Sequence, residues 1–221
     1  MTPPLEGAAG EGDPLAAGMP MKDPAPAPVP GTAGAERAVE AELIRKCVAG
    51  QSRFYEPLVR AYEPVAQRVA LGILGDADGA RDAVQQAFIR AYDALDRFDP
   101  ERSFRPWFLQ ILRNQCRDEL RRRKAGFEVQ RMDAVLAQRL AGDEDAARDH
   151  RRTRARELLW TALGRISVEH REVLVLKEIE GLSYGEIAET AGVPEGTVAS
   201  RLFHARRALR EALEEMGVEY P

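Results

Sequence analysis

Between Ser183 and Pro194 the chain marks where one helix starts, where it stops and where the next begins, which leaves room for little but two short crossed helices. Ser183 followed three residues later by Glu186 is a capping-box pattern, each side chain meeting an otherwise unpaired amide at a helix start. That predicts a helix over Tyr184 to Ala191. Gly192 supplies the left-handed residue that closes it, and Pro194 suits the first turn of the next helix, where a missing N–H costs nothing. In the second helix Val198, Leu202, Ala205 and Leu209 recur at helical spacing, while Thr197, Ser200, Arg201, His204 and Arg207 fall on other faces. The pattern is a helix-turn-helix, whose second helix fits a major groove. A plain amphipathic hairpin with solvated arginines is the simpler alternative. Against it, Arg201, Arg206, Arg207 and Arg210 meet only Glu195 among acids before Glu211, a local positive charge suited to phosphates.

The same segment carries a decoy. Gly181, Ser183 and Gly185 match the G-x-S-x-G pattern of a hydrolase nucleophile elbow, which requires a strand before the serine. Val173, Leu174, Leu176, Lys177 and Ile179 instead follow a helical pattern, and Ser183 is already committed to capping. No catalytic residues are expected, and the chain reads as a non-enzyme.

Long helical periods broken by short loops run through the rest of the chain, and no β-branched alternation suggests a sheet. The fold expected is all-α: two small helical domains joined by a flexible linker, the C-terminal one containing the helix-turn-helix. Residues 1–38 are rich in Pro, Ala and Gly and read as a disordered tail with no signal peptide or membrane span, which points to the cytoplasm. Cys47 and Cys116 lie in apolar helical patterns and read as buried free thiols. His150, His170 and His204 have no partners at zinc spacing, so neither metal nor cofactor is expected. The formal net charge of −4 is unusual for a chain that grips duplex DNA unaided, although basic residues cluster at Arg121 to Lys124, Arg151 to Arg156 and Arg201 to Arg210. Weak DNA binding by the isolated chain follows, with a partner supplying further affinity.

In the first half, Leu43, Ile44, Val48, Phe54, Leu58, Tyr62, Val65, Val69 and Ile73 predict two or three packed helices, with Pro57 marking a kink or a helix start close to it. After Gly75 and Asp76 comes a cleaner helix, with Ala80, Val84, Ala87, Phe88, Ala91 and Leu95 as its buried stripe and Asp82, Gln85, Gln86, Ile89 and Arg90 opposite. Pro100 then biases Asp99 away from helix, Ser103 is placed to cap the next one, and Pro106 falls in its first turn. There Trp107, Phe108, Ile111 and Leu112 lead into Arg113, Asn114, Arg117, Asp118, Arg121, Arg122 and Arg123. Aromatics that stack on bases beside arginines that track phosphates suit unstacked nucleic acid. Phe108 reads as core. Trp107 admits either a core or a base-facing role.

Three segments in this order, GARDAVQQAFIRAY from Gly79, RFDPERSFRPWFLQILRNQCRDELRRR at Arg97 to Arg123, and the helix-turn-helix, together resemble the bacterial extracytoplasmic-function sigma factors over roughly Glu42 to Leu213. The resemblance implies a dissociable promoter-recognition subunit of core RNA polymerase, with residues 39–123 as the region 2 domain, 124–154 as linker and 155–215 as the region 4 domain. Asp82, Gln85, Gln86 and Arg90 would then face the clamp helices of the large polymerase subunit, Gln86 standing where an acidic residue is frequent. Phe98, Arg102, Trp107, Arg113, Asn114, Arg117 and Arg121 would contact the minus-ten element. Capturing a flipped base costs a few kcal/mol of stacking that a pocket must offset. Asn114 is the candidate base contact, and Arg113, Arg117 and Arg121 are candidates for phosphates. Thr197, Ser200, Arg201, Phe203, His204 and Arg207 would serve the minus-thirty-five element, Phe203 being equally compatible with the core. Ala199 replaces a Lys or Arg common in the family, which would remove a contact worth roughly 1–3 kcal/mol. Promoter DNA and an anti-sigma protein are the further partners implied.

A linker of about thirty residues spans roughly 30 Å at about 5–6 Å times the square root of its length, enough with stretching to seat two domains on separate promoter elements. The main alternative is an autonomous helix-turn-helix regulator, which leaves the Trp107 to Arg123 helix unexplained.

Overall fold

The computed structural model describes residues 32–125 and 146–218 and contains helices without any strand among them. Helix α1 runs Thr32–Val48, and a 3-10 turn over Ser52–Phe54 leads into α2, Tyr55–Leu74. Then come α3, Ala77–Asp93, a 3-10 turn at Leu95–Arg97, and α4, Phe104–Ala125. In the second half, α5 spans Ala146–Arg165, α6 Val168–Leu174 with a widened π turn over Val175–Ile179, α7 Tyr184–Ala191 and α8 Glu195–Glu215.

Helix α1 begins seven residues inside the segment expected to be an unstructured tail. Its alanine- and glutamate-rich sequence favours helix, and Ala41, Ile44 and Cys47 recur at threes to bury one face. Residues 1–31 lie outside the described part. Likewise α4 continues to Ala125 and α5 takes up residues 146–154 of the expected linker, whose centre, 126–145, lies outside the described residues.

Starting α2 at Tyr55 puts Pro57 in the first turn, where no donor is missed, so it marks a helix start. Pro64 falls mid-helix and forfeits one backbone bond, compensated by the buried face of Leu58, Tyr62, Ala66, Val69 and Ile73. Gly75 closes the helix at φ +78°, its N–H donating to the Leu71 carbonyl at 2.9 Å. Asp76 then caps α3 by accepting from the Gly79 amide at 2.6 Å. Phe88 stacks on Phe108 with ring centroids 4.5 Å apart, joining α3 to α4. Phe108 is fully buried, as expected, and the free cysteines Cys47 and Cys116 are buried as well.

The capping box at Ser183 is present: the Glu186 amide donates to Ser183 Oγ at 3.3 Å and the Ser183 amide to Glu186 Oε2 at 2.9 Å. Gly192 is left-handed at φ +67°, and Pro194 sits one place earlier than expected, as the N-cap residue of α8. Helix and π turn precede Ser183, so no strand supports a nucleophile elbow.

The halves do not stand apart. Buried residues of both form one continuous apolar core, with α4 against α7 and the end of α2 against the π turn. At the crossing of α2 with that turn, Gly72 permits a close approach: a Cβ there would lie 2.6 Å from Val175 Cγ2. The Arg171 guanidinium, buried at the same seam, donates to the carbonyls of Leu163 at 2.7 Å, Gly164 at 3.1 Å and Ile166 at 3.4 Å at the end of α5, and of Ile73 at 2.8 Å at the end of α2. Two helix C-termini, each carrying partial negative charge, thus converge on one cation.

Candidate nucleic-acid interface

Three surfaces carry the residues singled out by sequence, and each is set by which face of its helix the core leaves over. On α3, burial of Ala80, Ala83, Val84, Ala87 and Phe88 turns Asp82, Gln85, Gln86 and Arg90 outward, all exposed. They do not form one uniform polar face. Gln85 lines an apolar groove with Tyr55, Val59, Phe88, Ile89 and Tyr92, whereas Gln86 and Arg90 line a polar one with Asp118 and Arg121. Exposed Tyr92 was not singled out from sequence. Its position next to Ala91 on a periodic helix was the available signal.

On α4 and the loop before it, the seven candidates divide. Phe98 is buried, its ring 4.7 Å from Trp107 and edge-on to Phe104 at 5.7 Å. Trp107 is half-buried in that cluster, so one ring face belongs to the core. Asn114 and Arg121 are exposed, Arg121 pairing with Asp118 one turn away. Arg113 is buried. Its Nε donates to Glu172 Oε2 at 2.9 Å, and Nη1 reaches Asn114 Oδ1 at 3.4 Å. Arg117 takes the same carboxylate, Nε donating to Oε1 at 2.5 Å and Nη2 to Oε2 at 2.9 Å, with Glu169 3.4 Å away. The hydrogen bond to Glu172 holds the Arg117 pKa above its ordinary value against the opposing cost of burial. Arg102 pairs with Glu189 of α7.

The glutamate partners, Glu169, Glu172 and Glu189, all from the second half, were missed in the sequence. A glutamate immediately before the apolar run Val173 to Leu176 would have been the clue for Glu172, since an acid beside such a run is buried only when paired. Arg68 was missed as well. It forms a two-pronged pair with Glu180, Nε to Oε1 at 2.7 Å and Nη2 to Oε2 at 2.8 Å, while Arg105 Nη2 donates to the Glu180 carbonyl at 3.2 Å.

On α8, Val198, Leu202, Ala205 and Leu209 are buried, and Ser200, Phe203, His204 and Arg207 are exposed, with Thr197 and Arg201 partly so. Phe203 is 66% exposed, which decides against a core role; its ring meets His204 edge-on at 5.4 Å. Arg206 instead turns back to Glu178, Nη2 donating at 2.8 Å. The outward face of α8 therefore presents a hydroxyl, an imidazole, an aromatic ring and guanidiniums along a helix anchored by α7, a set able to read base edges and phosphates in a groove.

A sequence profile described as Sigma-70 region 2 matches residues 58–126, and one described as Sigma-70, region 4 matches residues 156–209. Among similar proteins, the ECF RNA polymerase sigma factor SigL of Mycobacterium tuberculosis is 35% identical over 178 residues, covering 79% of this chain and 97% of that protein. RNA polymerase sigma-H factor of Pseudomonas aeruginosa is 31% identical over 181 residues, covering 79% and 94%. Among solved structures, CnrH in complex with the cytosolic domain of CnrY superposes with a TM-score of 0.59 at 26% identity, over 80% of this chain and 98% of that one. A sigma factor RpoE bound to the anti-sigma factor NepR, from Bartonella quintana, shares the fold at a TM-score of 0.54 and 23% identity, over 72% and 96%.

Proposed function

The chain belongs to the extracytoplasmic-function sigma factors, and from that membership we propose that it lends promoter choice to core RNA polymerase, α8 reading the upstream element and α4 the downstream one. The observation that carries this is the outward face of α8, where Ser200, Phe203, His204 and Arg207 are exposed on a helix whose other side is locked into the core. On α3 the exposed set Asp82, Gln85, Gln86 and Arg90 dock on the polymerase clamp helices through hydrogen bonds and charge. Asn114, exposed midway along α4, makes the polar contact to a flipped base of the minus-ten element, with half-buried Trp107 as its apolar floor, Phe98 packed beneath that ring, and Arg102, Arg113, Arg117 and Arg121 on phosphates. Arg201 joins the exposed residues of α8 in the upstream groove, and Thr197 lies near the DNA backbone.

The role asks for no chemistry by this chain, since bond formation belongs to polymerase. No described helix is long and apolar enough to cross a membrane, and we assign the protein to the cytoplasm with its polymerase. An anti-sigma protein is the expected regulatory partner, in keeping with the solved complexes that share the fold.

In vitro transcription with core polymerase over a randomised promoter library tests the assignment. Enrichment of one two-part motif is expected. Asn114→Ala should impair open-complex formation more than core binding, and Arg201→Ala should relax selection of the upstream half. Absence of any selected motif, with protein that folds and co-elutes with core enzyme, would overturn it.

A further inference from the structure

A groove of about 620 Å3 lies open between α2 and α3, walled by Tyr55, Val59, Glu63 and Gln67 at every fourth place on one side and by residues from Arg81 to Tyr92 on the other. One end is aromatic. Tyr55 meets Tyr92 edge-on at 5.0 Å and Phe88 at 6.4 Å, and its hydroxyl donates to the Phe88 carbonyl at 2.7 Å, which fixes the rings. Ile89 and Tyr92 remain 47% and 38% exposed beside it, an apolar surface of the kind that marks a binding groove. The chain just ahead of α1 has matching chemistry. Residues 24–30 read Pro-Ala-Pro-Ala-Pro-Val-Pro, apolar at every place. Proline fixes φ at about −65° and biases the residue before it towards extended backbone, so this alternation favours the polyproline II helix, whose three residues per turn give each face a proline with an alanine or valine. Aromatic-lined grooves take such a helix because it loses little conformational freedom on docking.

Reach and direction fit as well. Tyr62 donates to Glu40, and the Ser52–Phe54 turn joins α1 to α2 at the other end, so the two helices run antiparallel. Thr32, eight residues before Glu40, therefore lies about 12 Å past Tyr62, level with the Gln67 end of the groove. From there seven residues of polyproline II cover about 22 Å, against about 18 Å of α2 between Gln67 and Tyr55. Beside the far end, Lys46 and Arg53 lie over the Phe54 ring, 4.8 and 5.0 Å from its centroid. The chain ahead of the prolines is opposite in sign, with Glu6, Glu11, Asp13 and Asp23 against Lys22. We propose that residues 24–30 lie in the α2–α3 groove, running from Gln67 to Tyr55, and compete there with core polymerase for Gln85. The competition rests on the assignment of Gln85 to the clamp helices made above; the docking does not. Polymerase then has to displace the segment before the α3 face is fully engaged.

The full-length chain provides the test, since Cys47 and Cys116 are buried and a thiol-directed label goes to the added site of an Ala27→Cys variant. A nitroxide there should broaden the amide signals of Val59, Gln85 and Tyr92 and leave those of Ser200 and His204 on α8 sharp. Replacing the four prolines together, Pro24→Ser, Pro26→Ser, Pro28→Ser and Pro30→Ser, touches no residue of the apolar core and should abolish that selective broadening. The serine variant should bind core polymerase several-fold more tightly than wild type. Core enzyme should also shift the emission of an environment-sensitive dye on the Ala27→Cys variant to that of the same dye in the serine background. Broadening that is absent, spread over the whole surface or unchanged by the serines overturns the docking. Equal affinity of wild type and serine variant for core polymerase, or dye emission that core enzyme leaves unchanged, overturns the competition. Failure of every form to bind core polymerase would instead strike the functional assignment.

Discussion

Arg171 donates a 2.8 Å hydrogen bond to the backbone carbonyl of Ile73, ninety-eight positions away in sequence, and so ties the last turn of α2 to α6 in the region 4 half. Among the described residues no carboxylate hydrogen-bonds to it; its donors go to main-chain carbonyls instead. Burial accordingly pushes the Arg171 pKa below its usual value. Replacing it by methionine, of similar length, would orphan several buried carbonyls at two helix ends. At about 1–3 kcal/mol per unsatisfied group, partly relieved by water, a loss of about 3 kcal/mol is expected. Arg171→Lys should recover only part of this, since an ammonium lacks the planar fork. Urea denaturation of the three proteins measures it.

Gly72→Ala should reverse the usual sign of a helix-interior substitution. Alanine is favoured over glycine by about 1 kcal/mol in an isolated helix, yet here its methyl would meet Val175 at 2.6 Å. Overpacking of this kind costs about 1–3 kcal/mol, so the full chain should lose stability and Gly72→Ala combined with Val175→Ala should regain part of it. A thermal-denaturation cycle over the four proteins decides it; a rise in Tm for Gly72→Ala alone would mean that α2 and the π turn are not in contact in solution.

Cys116 should resist alkylation in the native protein. Burial drives its thiol pKa well above the ordinary value, so the reactive thiolate is not populated at neutral pH. Iodoacetamide labelling should proceed only with unfolding. The linked consequence has a definite sign: a proton held more tightly when folded stabilises the fold fully below the thiol pKa of the unfolded chain, roughly 8.5, and that contribution declines as pH rises beyond it. Cys116→Ala should flatten the alkaline limb of the stability profile.

Phe203→Ala should separate recognition from folding. At 66% exposure the ring contributes little to the core, so the unfolding free energy should change by no more than about 0.5 kcal/mol, while affinity for a selected upstream element falls. Footprinting beside calorimetry provides both readouts.

Ser183→Ala removes the acceptor for the Glu186 amide, at a cost of about 1 kcal/mol. Differential scanning calorimetry should register that loss, and esterase assays of wild type and variant should be indistinguishable.

Much of this was legible in the order of residues alone, and the reasons are local. Capping at Ser183, the left-handed Gly192 and the buried stripes of α3 and α8 depend on contacts within a few positions or on a period of 3.6, and both are written in linear sequence. The outward residues of α3 and α8 follow from the same stripes. Sequence could not say that Arg113 and Arg117 lie buried on Glu172, that Phe203 faces solvent while Trp107 shares its ring with a core, or that the two halves form one body. A helix period ranks faces without saying which neighbour will cover them, and an arginine reads the same whether its partner is water, phosphate or a glutamate more than fifty residues on. Those pairings exist only once α2, α4 and the segment from α6 to α7 are brought together, since a buried charge is tolerated only where a counter-charge or a set of hydrogen-bond acceptors from elsewhere in the chain arrives to meet it.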